Sequence, residues 1–256
     1  MTFQYPLWIH AVFLLFVALS AYAQTVTGFA QSLILLGLIG ATSLVPLPDA
    51  INAATVLSVI NAWTFIYLHR PVRMERVLWP TIAGTAIGIV AGVAFMAWLA
   101  GASYQLLRLL LGISVIVCAG LLWFAARPLQ KLSPPSTFAA VGGISGIMAG
   151  MFSTAGPPLV YLLYRQPLAQ AKIQESLMLI FGIGSALRLL IVVPAGQFSL
   201  ASLQLAMEAL PVVVLVTFLT VRYPPPLPRT MLKAIVCVLL VTTGVGLVGG
   251  AVTAMR

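Results

Sequence analysis

Apolar residues run along this chain in long blocks, and the polar and helix-breaking residues gather at the seams between them. Read that way, the sequence predicts segments near 7–24, 29–45, 49–69, 77–100, 104–125, 136–152, 156–165, 170–194, 200–221 and 229–252. The breaks fall at 25–28, at Pro46 and Pro48, at Pro71, at Pro128 with Pro134 and Pro135, at 156–158, at Pro167, at Pro194 and at 224–228. Blocks such as 33–40 and 212–219 are nearly continuous rather than alternating, which fits helices and not the period-two strands of an outer-membrane barrel. The stretches 77–107 and 132–164 hold no Asp, Glu, Lys or Arg, and each exceeds the ~20 residues a spanning helix needs. Bilayer, not water, is the predicted solvent, and the predicted fold class is an all-α polytopic membrane protein.

The breaks recur. Pro46, Leu47 and Ala50 return as Pro167, Leu168 and Ala171, an offset of 121 residues that also sets Thr55 on Ser176, and Gly28 falls near Gly150 with a slip of one. Within a single transmembrane domain, the sequence therefore predicts two repeats, about 1–126 and about 134–256. Each is a broken or re-entrant pair of short segments followed by three transmembrane helices. Orientation comes from charge, because cytoplasmic loops are enriched in Lys and Arg. Arg70, Arg73 and Arg76 share one loop, Arg127 and Lys131 another, Arg165 and Lys172 a third, and Arg222, Arg229 and Lys233 a fourth, while 101–103 and 195–199 carry none. With the basic loops inside, segments 49–69 and 170–194 cross in opposite directions, and the pair before each returns to its own side. The halves are expected to be inverted, in a multi-pass protein of the bacterial inner membrane with both termini periplasmic. Inverted repeats with helices broken at the midplane are an architecture of secondary transporters.

Composition sharpens this. At 61% hydrophobic and 7% charged, the chain stands far from the roughly 25% charged residues of soluble domains. The net charge of +9 lies in small groups between apolar blocks rather than in a patch with interleaved aromatics, so no nucleic-acid partner is expected. Cys118 and Cys237 sit far apart in apolar blocks and read as small core hydrophobes, with neither a disulfide nor a metal motif. Residues 7–19 followed by Ala21-Tyr22-Ala23 imitate a secretory signal, but no Lys or Arg precedes them and the repeat needs the segment, so the first helix is expected to stay.

Gly28-Phe29 opening an apolar segment, then a Pro-rich turn and residues 50–55, are echoed by Gly143, Gly146, Gly150, Gly156-Pro157-Pro158-Leu159 and residues 171–176. This resembles the duplicated pattern of the TauE/SafE sulfite and sulfonate exporters over nearly the whole chain. The resemblance implies export of a small sulfur oxyanion, a sulfonate or a related organic acid.

An anion inside a membrane needs donors to replace its water, and interrupted helices offer backbone N–H groups with the positive end of the helix dipole. Thr25, Thr27, Gly28, Gln31 and Ser32 surround the first break; Gly150, Ser153, Thr154 and Gly156 surround the second. They are candidate substrate ligands, or alternatively small residues that let helices pack closely. Asn52, Thr55, Ser58 and Asn61 on the following helix, and Gln174, Glu175 and Ser176 on its counterpart, add polar groups. Thr55, Ser58 and Asn61 are spaced to line one helix face, although hydroxyls can also bond back to their own helix.

Ionisable groups inside spans are costly and therefore informative. Arg188 lies roughly 9 Å in from Pro194 and Glu208 roughly 12 Å in from Leu200, at 1.5 Å per residue. Matching depths suggest a salt bridge between them, with Arg188 facing the anion and Glu208 taking a coupling ion; the alternative is a structural pair, or Arg188 snorkelling to headgroups. Glu175 is a second ion-coupling candidate, though Glu175 and Asp49 also sit near helix starts, where a carboxylate complements the dipole. An enzyme would need a nucleophile with a base or a metal set; His10 and His69 are isolated and no nucleotide loop occurs. The expectation is a secondary transporter of a small anion, not an enzyme, with an anion channel or a non-transporting accessory subunit as alternatives. Its partners are the anion, the lipid bilayer, a coupling proton or sodium and a second copy in a homodimer, with no cofactor.

Overall fold

The computed structural model describes residues 6–69, 75–102, 104–124, 129–154, 156–224 and 229–255. Among these residues the chain forms α-helices in the order α1 (Leu7–Thr27), α2 (Gln31–Thr42), α3 (Leu47–Leu68), α4 (Trp79–Ala102), α5 (Tyr104–Phe124), α6 (Pro135–Phe152), α7 (Gly156–Tyr164), α8 (Gln170–Val192), α9 (Leu200–Arg222) and α10 (Arg229–Met255), with a short 3-10 turn at Arg76–Leu78. Seven of them, α1, α3, α4, α6, α8, α9 and α10, contain stretches long and apolar enough to cross a membrane. Arg70, Pro71, Arg73, Ser103, Arg127, Pro128 and residues 225–228, which entered the boundary and charge readings, lie outside the described residues, as do the side chains of Arg229 and Lys233.

Prolines and glycines set the boundaries for identifiable reasons. Pro48 and Pro135 stand in the first turns of α3 and α6, where a missing N–H costs no intrahelical bond. Ser199 caps α9 by accepting from the Ser202 N–H at 2.9 Å. α1 stops at Gly28, whose φ of 84° lies in the left-handed region, and α6 stops at Ser153, with φ of 56°.

The paired segments differ from expectation in length. Both members were expected to be short, but α1 has 21 residues and α6 has 18, while α2 has 12 and α7 has 9. A long first member thus carries the chain most of the way across, and a short second member, about 18 Å in α2 and about 14 Å in α7, turns back.

Contacts define two opposite faces. Asp49 at the start of α3 accepts hydrogen bonds from Ser199 and Ser202 at the start of α9, and the Asn52 amide donates to the Gln197 carbonyl at 2.8 Å. At the other face, Lys172 near the start of α8 pairs with Glu75, just before α4. Hence α3 and α8, which pack together, run antiparallel. The α6–α7 pair begins and ends on the second face: Ser133 N–H donates to Gln166 Oε1 at 3.0 Å and Leu129 N–H to the Arg165 carbonyl at 2.7 Å.

The closest helix pair is α4 with α6, joined by glycines. A methyl group built on Gly88 would stand 2.2 Å from the Gly143 carbonyl oxygen, on Gly92 2.1 Å from that of Ile147, and on Gly146 2.4 Å from that of Thr85. Backbone lies directly on backbone here, as small residues permit in bilayers, where lipid removes the hydrophobic drive for helices to associate. Across α5 and α10, Cys118 and Cys237 are buried, with Cys237 Sγ 3.8 Å from the Ala119 carbonyl. Arg108 of α5 donates through Nη2 to the Gly40 carbonyl near the end of α2 at 2.6 Å, closing a carbonyl that the helix terminus leaves open.

Packing partners recur on a shift of five helices. α1–α9 corresponds to α6–α4, α3–α9 to α8–α4, α2–α10 to α7–α5, α1–α2 to α6–α7 and α2–α3 to α7–α8, while α3–α8 and α5–α10 map onto themselves.

Candidate functional site

Both breaks open onto one cavity. It is a small, partly open cavity lined by Gln24 of α1, Ala30 and Ser32 at the α1–α2 break, Ser58 of α3, Ala149, Ser153 and Thr154 at the α6–α7 break, and Phe181, Gly184 and Ser185 of α8. Six of these are polar and buried inside an otherwise apolar bundle. Ser32 and Ser58 bond each other at 3.1 Å, Gln24 reaches only the Met178 sulfur, at 3.8 Å, among the described residues, and the buried Ser153 hydroxyl has no described partner. Unsatisfied buried polar groups are rare and need a reason, such as a ligand they await.

The two breaks supply donors unequally. At α2, the first turn of N–H groups precedes the first intrahelical bond, which runs from Ile34 to Ala30 at 2.9 Å, so the dipole's positive end borders the cavity. At α7, Pro157 and Pro158 have no N–H, and that of Leu159 donates to Ser145 Oγ at 3.1 Å. The second break therefore contributes side chains, Ser153 and Thr154, with Gly156 behind them. Gly156, at φ 65°, packs against Met148 instead of lining the cavity.

Arg188 is 1% exposed, and its guanidinium is held by neutral acceptors. Nε donates to the Gly150 carbonyl at 2.9 Å, and Nη1 donates to Asn52 Oδ1 at 3.0 Å and to Thr55 Oγ1 at 2.8 Å. Thr55 gives its own proton to the Ile51 carbonyl at 2.8 Å, which turns its lone pairs to the arginine. Nη2 meets only the Met96 thioether, at 3.9 Å, among the described residues. Asn52, Thr55, Gly150 and Arg188, separate candidate ligands in the sequence, thus contact one another; none of them lines the cavity, and they stand behind its wall at Ala149 and Ser185. Among the described residues no carboxylate neutralises Arg188.

The expected salt bridge from Arg188 to Glu208 is absent. Glu208 Oε2 instead lies 2.6 Å from Nδ1 of His10 on α1. The reason is packing: α9 lies against α3 and α1, whereas α8 lies against α3 and α4, so equal depth on consecutive helices does not make them neighbours.

Thr27, Gly28 and Gln174 hold the first break in place rather than lining the cavity. Thr27 Oγ1 donates to the Ala23 carbonyl at 2.6 Å, and Gln174 Nε2 donates to the Thr25 carbonyl at 2.5 Å. A side chain on Gly28 would press against Gln174 at 3.1 Å. Tyr164, not singled out from sequence, donates its hydroxyl to the Thr27 carbonyl at 3.0 Å. Gln31 is fully buried, with neither amide atom partnered among the described residues, and Ser176 is 2% exposed. Glu175 is half-buried on the second turn of α8. Gln24 and Ser185 were also missed, each being a single small-polar signal within an apolar run.

A bundle of spanning helices that encloses a polar cavity between two interrupted helix pairs defines a multi-pass membrane transporter. The family model for the sulfite exporter TauE/SafE matches residues 12–247, and the chain belongs to that family. It is 33% identical over 238 residues, covering 91% of both chains, to a Cupriavidus necator protein named "Probable sulfite/organosulfonate exporter TauE". It is also 26% identical over 184 residues, 70% of this chain and 76% of the other, to the "Probable inner membrane transporter protein TsaS" of Comamonas testosteroni. No solved structure matches.

Proposed function

We propose that the protein is a secondary transporter that exports a small sulfur oxyanion or sulfonate across the bacterial inner membrane, binding it near the midplane between the two breaks. The observation that carries this is the un-neutralised Arg188 cluster directly behind a polar cavity. A buried guanidinium lacking a counter-charge is costly, and an anion entering beside it recovers part of that cost. The printed names of both relatives point the same way. Donors from α2, Ser153 and Thr154 replace water around the oxyanion, and Arg188 biases the cavity toward negative charge. With an inside-negative potential, export is driven by ~2.3 kcal/mol per charge per 100 mV, so no nucleotide is required.

Two inverted repeats, about 1–126 and about 134–256, are supported by the antiparallel α3 and α8 and by the five-helix recurrence of packing partners. The second face carries Arg76, Lys131, Arg165, Lys172 and Arg222, which makes it cytoplasmic by the positive-inside rule and leaves the face of Asp49 and Gln197 periplasmic. A cysteine at exposed Gln197 is expected to react with a membrane-impermeant maleimide in intact cells, and one at exposed Leu132 only after lysis. Native Cys118 and Cys237, both buried, leave little background. Labelling in the reverse pattern would refute the orientation.

Transport itself is tested by uptake of labelled sulfite and small sulfonates into proteoliposomes with the potential set to either sign. Saturable flux toward the positive compartment is expected. Flux that rises without saturation would make the protein a channel, and no flux of any sulfur oxyanion would reject the substrate class.

A further inference from the structure

α9 contains Pro211, which has no N–H, so the Met207 carbonyl four residues earlier loses its helical donor and the turn between them can bend. Glu208 lies in that turn, about 12 Å along the helix from its periplasmic start. Its contact with His10 ties the proline-weakened turn of α9 to the first turn of α1 at 2.6 Å, with the side chains 13% (His10) and 24% (Glu208) exposed. Neither residue lines the cavity, and neither touches Arg188. An acid and an imidazole inside a span are expensive to keep, and histidine is the side chain whose ordinary charge change falls near neutral pH.

We propose that His10 and Glu208 form a proton-binding site coupled to transport by exchange, a proton taken up from outside being released inside as the anion moves out. This rests on the transport reading above. With a proton bound, an imidazolium–carboxylate pair locks α1 to α9; after release, a single hydrogen bond remains across a turn already weakened by Pro211. The connection to substrate is short on both sides. Gln24, further along α1, lines the cavity, and α9 packs on α3, whose Asn52 and Thr55 hold Arg188.

Among the described residues, the other titratable groups on the surrounding helices lie at other levels along them. Asp49 of α3 is engaged by Ser199 and Ser202, about 9 Å nearer the start of α9. Tyr22 lies about three turns further along α1 and Arg222 about four turns further along α9. Tyr67 is at the opposite end of α3, and α2 has no titratable side chain.

The test uses the full chain in proteoliposomes with a sulfonate, which stays ionised through the neutral range and so carries no proton of its own. Counterflow of labelled sulfonate reports transport, and a trapped pH dye reports protons. Wild type is expected to move protons when sulfonate is added. Glu208→Gln and His10→Gln are each expected to retain counterflow while proton movement falls by about tenfold or more. Counterflow without proton movement in wild type overturns the proposal and leaves the transport reading intact. Proton movement that persists in both variants overturns it as well. No counterflow in wild type defeats the transport reading, and the coupling falls with it.

Discussion

Replacing Arg188 with methionine is expected to lower sulfonate flux by about a hundredfold while the purified protein still folds, at a somewhat lower melting temperature. The two effects separate because the arginine's charge is not part of an ion pair. Its partners are the Gly150 carbonyl, Asn52 Oδ1 and Thr55 Oγ1, all neutral. Removing the charge abolishes a desolvation cost of several kcal/mol. Against that stand acceptors left unpaired, at about 1–3 kcal/mol each. Transport has no such compensation. Arg188 does not itself line the cavity, so it acts on the anion as a nearby positive charge, and a loss of about 2.8 kcal/mol corresponds to about a hundredfold. Arg188→Lys retains the charge without the planar fork that reaches three acceptors at once, so its flux should fall between the two. Flux in a folded methionine variant equal to wild type would remove Arg188 from the substrate's path; a drop in flux that only tracked the yield of folded protein would mark it as structural.

The second large effect is on folding. Gly146→Ala is expected to destabilise the bundle by about 3 kcal/mol, and Gly146→Leu to leave no folded protein in detergent, although both replacements are better helix formers than glycine. The added carbon at Gly146 would lie 2.4 Å from the Thr85 carbonyl oxygen and 3.0 Å from the Gly88 Cα, where only backbone is available to move. Because lipid is as apolar as leucine, extra hydrophobic surface gains nothing and the lost close contact is the whole effect. Gly120→Ala and Gly249→Ala, with nothing within 4 Å of the added carbon, serve as controls and should lie within about 0.5 kcal/mol of wild type. Thermal denaturation in detergent with parallel size-exclusion profiles measures all three positions.

The helices were readable in the sequence wherever a break has a local chemical cause. Pro46 and Pro48, Pro134 and Pro135, and Gly28 put boundaries where backbone geometry demands them, and the observed helices begin or end there. The proline inside α9 went unnoticed because apolar residues continue on both sides of it. At the site, Arg188 stood out because a charge within a span is costly, and Asn52 and Thr55 as polar groups on the helix after a break, but the contact among the three was not expected. Nor was the partner of Glu208. Depth along a helix can be counted from sequence, whereas which neighbour a face meets depends on packing angles that no run of residues encodes, so Glu208 was assigned to the helix next in sequence and belongs with His10 on α1. The unequal breaks were hidden for a similar reason: Pro157-Pro158 announces an interruption yet takes away the N–H groups an interruption was expected to offer.

The half-length α2 and α7 have an electrical consequence. A membrane voltage falls across insulating material, and each ångström by which water follows a short helix inward is subtracted from that insulation. Since the two breaks meet at one cavity, water admitted there would thin the insulator most around Ser32, Ser58, Ser153 and Ser185. An ion shifted by a few ångströms there crosses a large share of the field, so a small rearrangement of the bundle draws on most of the ~2.3 kcal/mol per charge that 100 mV supplies.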